Sequence, residues 1–389
     1  YSGIAPTDDL LPHQWHLQNV GVVPDTPYYL KKGADARVVD AWNRIGGMGS
    51  SQIVIALIDF GFDLNHPDLE EKVFKPFNIW DQSSALPVGN PEYVHGTPCA
   101  SVALAASNGK GMLGAAPLAR FMPVNGPSFS VRATEQMFDY CIRAGADIIS
   151  CSWGTTDPRF SLSPLKEEAI AKAVREGRNG KGCIVLFAAG NEDLDFLNFY
   201  AAQPDIIAVG ACTSRDEHAY YSNRGRELTV VAPSNGDWPI TAARASWDPG
   251  IPGETGDFRY WRDGKSRGNY YKHFGGTSSA TPLVAGICAL MLSVNPDLTA
   301  AEVKSILQNT ADKIGWPGEY INGHSRKYGY GRVNADRAVA EAMRLRDLSS
   351  SFGRVEERVV SGQGLFRMDV ATQPASGWGV QTGAYASYA

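Results

Sequence analysis

From about residue 50, short β-branched and apolar runs alternate with longer amphipathic stretches, and no other feature of this 389-residue chain restricts its fold so tightly. The series runs from Ile53 to Asp59, through a helix from His95, Arg120 to Val124 and a helix from Val131, to Ile148 to Ser152. A helix from Pro164 to Gly177, Cys183 to Ala189 and Ile206 to Gly210 continue it. Such alternation predicts βαβ units and hence a doubly wound, mostly parallel α/β sheet with helices on both faces. In sheets of this kind, sites gather at the carboxyl ends of the strands. Thr277 to Val294 is apolar nearly all round, the pattern of a buried central helix, with Pro282 expected in its first turn. Thr299 and Glu302 form a capping box for the next helix, and the helical series closes near Ala342.

The length exceeds the roughly 250 to 300 residues at which single cores stop growing, so appendages are expected around a main domain at 51–345. Residues 1–50 read as an arm with one helix around Ala34 to Ile45, and 346–389 as an extension without helical period. Ser234 to Asn269, rich in Gly, Pro, Trp and Arg, reads as a long surface loop. With 36 Lys and Arg against 41 Asp and Glu and no basic run, the chain offers no electrostatic surface for nucleic acid or an anionic membrane. The longest apolar candidates are broken by Pro, Gly or Asn, so no membrane span is expected. Cys99, Cys141, Cys151, Cys183, Cys212 and Cys288 all sit in apolar segments without metal-ligand spacing and are expected as buried free thiols.

Ile53 to Asp59 puts a carboxylate at the end of an apolar strand, where a charge is costly without a hydrogen-bonded partner. His95-Gly-Thr97 places an imidazole at the start of an apolar helix. Gly275-Gly-Thr-Ser278 leads from a glycine turn into the central helix, so Ser278 sits where the helix dipole favours developing negative charge. Taken singly, these residues also read as a turn former, a helix cap and an N-cap. Together they supply an orienting carboxylate, a general base and a nucleophile.

Ile58-Asp59 with His66-Pro-Asp68-Leu69, His95-Gly-Thr97, Ala188-Ala-Gly-Asn191-Glu192 and Gly276-Thr-Ser278-Ser-Ala-Thr-Pro282 resemble the signature blocks of the subtilases, across about residues 11 to 342. The resemblance implies a serine endopeptidase acting on protein or peptide substrates through an acyl-enzyme. Asp59, His95 and Ser278 would be its triad, and the Asn191 amide its oxyanion donor. Gln14-Trp-His-Leu17, Ser152-Trp153-Gly154 and Phe274-Gly-Gly-Thr-Ser278 resemble the kexin and furin branch. In that branch Asp157 falls at the base of the primary specificity pocket and Glu192 on its rim, which implies a basic residue before the scissile bond; an exposed loop acid is the equal alternative for Asp157. Phe60 stands where kexin and furin carry a second Asp, so strict dibasic cleavage is not expected. Pro98, Ser101 and the loop Gly126-Pro-Ser128 also depart from the family pattern, and the more distant subsites are expected to differ. Cys99, just below His95, implies partial sensitivity to thiol reagents.

The family resemblance further implies a structural calcium ion held by Asp68, Asn108 and the carbonyls of Ala106, Lys110 and Met112. A glycine-rich turn packed on the strand is the alternative, and no N-terminal ligand is assignable from the sequence. A propeptide or protein inhibitor is an expected partner. By resemblance the location is secreted or periplasmic, while six unpaired cysteines keep a cytoplasmic one open. Two other functions share these residues. A peptide ligase or macrocyclase would need the 234–269 loop as a water-excluding lid and would leave product mass unchanged by water. A silent peptide-binding scaffold would bind without turnover.

Overall fold

In the computed structural model, residues 4–24, 26, 28–249, 260–263, 266–352, 366–367 and 385–386 are described. Strand β1 (Val54–Asp59) is buried along its whole length, as a strand covered on both faces must be. It lies within a seven-stranded parallel sheet with β2 (Phe77–Asn78), β3 (Arg120–Asn125), β4 (Ile148–Cys151), β5 (Ile184–Ala188), β6 (Ile207–Cys212) and β7 (Val230–Pro233). The order is β2-β3-β1-β4-β5-β6-β7. Strands β2 and β3 lie to one side of β1 and β4 to β7 to the other, so the winding reverses at β1. A crevice opens at the carboxyl end of a strand where this happens, and that end is Asp59.

Period-two alternation decides which face each β1 side chain serves. Val54, Ala56 and Ile58 pack in one apolar cluster with α3 (Val131–Ala144) and α4 (Pro164–Glu176). Ile55 and Leu57 pack in the other, with α2 (Gly96–Leu104), α5 (Thr277–Val294), α6 (Ala300–Thr310) and α7 (Ala335–Phe352). Asp59 continues the second set and so faces α2 and α5. Helix α5 is long and apolar enough to cross a membrane, yet 89% of it is buried inside the fold. It meets α2 at Gly286, where a Cβ would stand 2.6 Å from the Ala103 carbonyl.

Helix starts follow local chemistry. Ser130 and Ser163 cap α3 and α4 through backbone N–H groups three residues on, and Thr299 with Glu302 completes the capping box of α6. The arm is part of the core rather than an appendage. Trp15 and, in α1 (Val38–Ile45), Trp42 are buried, donating to the carbonyls of Pro239 and Ala115.

The segment 234–269 departs from its reading as a surface loop. It contains β8 (Ile240–Ala243), β9 (Tyr260–Asp263) and the start of β10 (Ser266–Phe274), an antiparallel sheet in the order β8-β10-β9. Strand β8 is buried, and its Ala243 N–H donates to Ser101 Oγ of α2 at 2.9 Å. Residues 250–259, at the centre of the expected lid, lie outside the described residues, as does most of the expected extension at 346–389. Helix α7 runs to Phe352, beyond the expected boundary.

Candidate active site

Asp59 is buried, and its Oδ1 accepts from the Phe60 N–H and from His95 Nδ1, both at 2.7 Å. His95 starts α2 but makes no side-chain cap, because both ring nitrogens are engaged elsewhere. Its Nε2 lies 3.1 Å from Ser278 Oγ. Since the carboxylate can only accept, Nδ1 carries the hydrogen and Nε2 is left to accept from the serine hydroxyl. Burial opposes charge on the imidazole, but the Asp59 carboxylate outweighs it and holds His95 well above the ordinary histidine value.

Ser278 is the second residue of α5, and Pro282 lies one turn further on, past the first turn where the sequence reading put it. A proline lacks the N–H that would bond the carbonyl four residues back, which here is that of Ser278. The freed carbonyl accepts instead from Ser152 Oγ at 2.9 Å and from the Cys99 thiol at 3.5 Å. The proline thus ties the serine's backbone to the end of β4 and to α2. Beside it, Asn191 Oδ1 accepts from the N–H and the hydroxyl of Thr277, both at 2.8 Å. This turns Nδ2, the donor end, towards the space next to Ser278. Gly276, at φ +72°, admits that approach, since a Cβ there would stand 3.3 Å from Asn191 Nδ2.

A cavity of about 170 Å³ opens at Ser278. Ser152, Trp153 and Gly154 form one wall, Ala188, Gly190, Asn191 and Glu192 the other, with Asn198 also lining it. Asn198 is buried and spends its polarity internally, donating to the Ala188 carbonyl and accepting from the N–H groups of Tyr200 and Ala201. It presses on Gly154, where a Cβ would stand 2.3 Å away. Glu192 Oε2 accepts from Asn223 Nδ2 at 2.6 Å. Asp157 is not among the lining residues. It caps a short 3₁₀ turn and pairs with the exposed Arg159, whose guanidinium holds its carboxyl below the usual range. Local sequence explains this: an Asp two residues before an Arg, across a Pro, meets its own neighbour first.

Asp68 lies at a second centre, buried, with Oδ1 accepting from Asn108 Nδ2 and Oδ2 from the Tyr270 hydroxyl, both at 2.7 Å. Asp8, which the sequence reading did not single out, is also buried and meets the same loop. Its carboxylate accepts from Ser107 Oγ and from the N–H groups of Asn108 and Gly109. Gln14 exchanges two hydrogen bonds with the Leu113 backbone and pins the arm alongside. None of the described ion pairs involves Asp8 or Asp68, and burial pushes Asp68 up. Two buried carboxylates meet this loop, and carboxylates with loop carbonyls are the hard oxygens a calcium ion takes. Asn108 turns its amide nitrogen to Asp68 and its Oδ1 to the Lys110 N–H at 3.0 Å, so its oxygen would have to turn to join them. The adjacent acids Asp8-Asp9 in the arm were the available signal. All six cysteines are buried and unpaired.

The chain belongs to the subtilase family, whose model matches residues 50–331. It is 36% identical over 356 residues to the calcium-dependent protease of Trichormus variabilis, covering 85% of this chain and 51% of that protein. It is 30% identical to the kexin of Saccharomyces cerevisiae, over 86% of this chain and 40% of the other. The chain therefore spans about half the length of the calcium-dependent protease it matches. Among solved structures, the serine protease of Aeromonas sobria, in a complex with a chaperone, superposes with a TM-score of 0.72 at 18% identity. That match covers 93% of this chain and 72% of the other, and it supports the fold alone.

Proposed function

We propose that the chain is a serine endopeptidase that hydrolyses peptide bonds in protein or peptide substrates through an acyl-enzyme. The observation that carries this reading is the continuous relay from Asp59 through His95 to Ser278 at the point where the sheet's winding reverses. Ser278 Oγ attacks the substrate carbonyl carbon while its proton passes to His95 Nε2. The Asn191 amide, with the N-terminus of α5, receives the developing oxyanion. The imidazolium then protonates the departing amine, the C–N bond breaks, and the acyl-serine remains. Water attacks next, giving its proton to His95, and Ser278 leaves with that proton restored. Asp59 keeps Nδ1 protonated and favours the imidazolium throughout.

A basic residue before the scissile bond is the preference we assign, and Glu192 is its carrier, since it lines the cavity with one carboxylate oxygen beyond the Asn223 contact. Asp157 would contribute only by exchanging its Arg159 partner. A calcium ion fits the loop of Asp68, Ala106, Asn108, Lys110 and Met112, with Asp8 as the N-terminal acid. Asp8 and Asp68 would hold such an ion, which would supply the charge opposite two buried carboxylates and tie the arm to the loop. A propeptide or protein inhibitor remains the expected macromolecular partner, in keeping with the chaperone complex of the Aeromonas relative.

The test is a fluorogenic peptide series that varies only the residue before the scissile bond, run with and without EDTA, with Ser278→Ala as control. Turnover confined to Arg and Lys peptides and lost in the control supports the whole reading. Turnover on Phe or Leu peptides removes the basic preference and keeps the protease. Turnover that survives in Ser278→Ala refutes the assigned nucleophile.

A further inference from the structure

Strand β10 touches both centres. At Tyr270 it meets the loop: the hydroxyl donates to Asp68 Oδ2, the ring packs edge-on to His66 at 5.3 Å, and His66 Nε2 bonds the Asn269 carbonyl at 2.8 Å. The ring tip sits against Gly111, where a Cβ would stand 1.8 Å from the hydroxyl, so a side chain at 111 and this tyrosine exclude each other. Four residues later, past a shift in the pairing register with β8 between Tyr271 and Phe274, the Phe274 ring meets the His95 imidazole edge-on at 6.2 Å. The chain then enters the turn before Ser278, clamped by Asn235 Oδ1, which accepts from the Gly276 N–H, and by Ser234 Oγ, which donates to the Gly276 carbonyl. On its flank, β10 pairs with β8, which is tied to α2 through Ser101. Leu10, Ala105, Met112 and Ala243 form one small apolar cluster with Tyr270 packed against it.

We propose that Tyr270 is a positioning residue that couples the 106–112 loop to the turn carrying Ser278, so that occupancy of the loop by a divalent cation governs the rate of chemistry as well as stability. The inference rests on the protease and calcium readings above. Asp68 is the shared element, because the carboxylate expected to face the cation also receives the tyrosine hydroxyl. With the cation bound, Asp68 is held and Tyr270 with it. β10 is then anchored at one end, and the Phe274 contact and Gly276 clamps keep their register at the other. Without the cation, neither buried carboxylate has a direct ion-pair partner among the described residues, the buried Lys72 acting on Asp68 only through space, so the loop loosens and the anchor is lost.

The experiment compares Tyr270→Phe, which keeps the ring and removes only the hydroxyl, with the parent chain. Calcium chloride is titrated calorimetrically in a Ser278→Ala background, and kcat and KM are measured against calcium in the active proteins. The expected result is calcium binding weakened roughly tenfold to a hundredfold, the loss of one hydrogen bond to a charged group. In addition, kcat should fall about tenfold at saturating calcium and no longer rise with calcium, while KM is unchanged. A variant whose kcat still tracks its own binding isotherm overturns the coupling, and so does a parent whose kcat does not rise with calcium. Hydrogen exchange on the Ser278→Ala protein gives an arm that needs no change at Tyr270. Calcium should slow exchange at residues 271–276 as well as in the loop, and protection confined to the loop overturns the proposal even if Tyr270→Phe does not fold. A parent that takes up no calcium refutes the calcium reading and this inference together. A parent that binds calcium and cleaves no peptide refutes only the protease reading, because the exchange arm still measures the link.

Discussion

His16 is fully buried between Trp15 and Leu17, and neither ring nitrogen has a hydrogen-bond partner. Burial lowers its pKa from 6.5 to about 3. Between those values the unfolded ring binds a proton that the folded ring refuses, so stability falls as pH drops through that window. At about 1.36 kcal/mol per pH unit, the loss reaches about 2 kcal/mol at pH 5 and about 3 kcal/mol at pH 4. His16→Leu, of similar volume and without polar atoms, removes the term. It also removes two unsatisfied polar atoms, so the variant should be at least as stable at pH 7. The assay is urea unfolding followed by tryptophan fluorescence in a Ser278→Ala background, which prevents autolysis, at fixed calcium. Other titrating groups, including Asp8 and Asp68, are common to both proteins and cancel in the difference. The stability gap should widen by about 2 kcal/mol between pH 7 and pH 5. A gap that stays constant across that range would show that the ring titrates alike in both states and refute the reasoning.

With Asn191 as the proposed oxyanion donor, Asn191→Ala should lower kcat roughly 10² to 10³-fold with little change in KM, the size of loss that removing one such donor causes in subtilisin; steady-state kinetics on the best peptide of the series will read it. Gly111→Ala combines φ +67° with a Cβ set against the Tyr270 hydroxyl, and should cost about 1–3 kcal/mol while reducing the gain in melting temperature expected from calcium on the proposed reading. The Cys99 thiol lies 3.7 Å from His95 Nδ1 and is pushed up to about 11 by burial. At pH 8 only about one molecule in a thousand carries the thiolate, so iodoacetamide should leave peptide turnover intact while a small mercurial lowers it partially. Indifference to both reagents would remove Cys99 from any part in the site.

How far the fold was legible in the sequence depended on where each element's stabilisation comes from. Strands β1 and β3 to β6 announce themselves because parallel strands covered on both faces must be continuously apolar, and the observed ends fall within a residue or two of those expected. Helices α3, α4 and α6 carry their own caps, so local chemistry marks them. Strand β8 carries no such mark. Its four residues, Ile-Thr-Ala-Ala, are held by the Ser101 hydroxyl 142 positions away and by a partner strand still to come in the chain. A window of sequence shows only its Gly- and Trp-rich surroundings, and these read as loop.

The same division runs through the site. Asp59, His95 and Ser278 were legible only together, because each alone also reads as a turn former or a cap while the three in this chain order supply a carboxylate, a base and a nucleophile, and the structure brings them within hydrogen-bond reach. Asp8 and Tyr270 were not, since an acid in an arm and a tyrosine in a strand are ordinary until folding sets both against the loop at 106–112. Asp157 is the opposite case. Its resemblance to a pocket residue and its reading as an exposed loop acid stand side by side in the sequence, and the structure pairs its carboxylate with an arginine two residues along at the surface. A sequence comparison that weighs positions one at a time carries no information about the Arg159 that competes for the carboxylate.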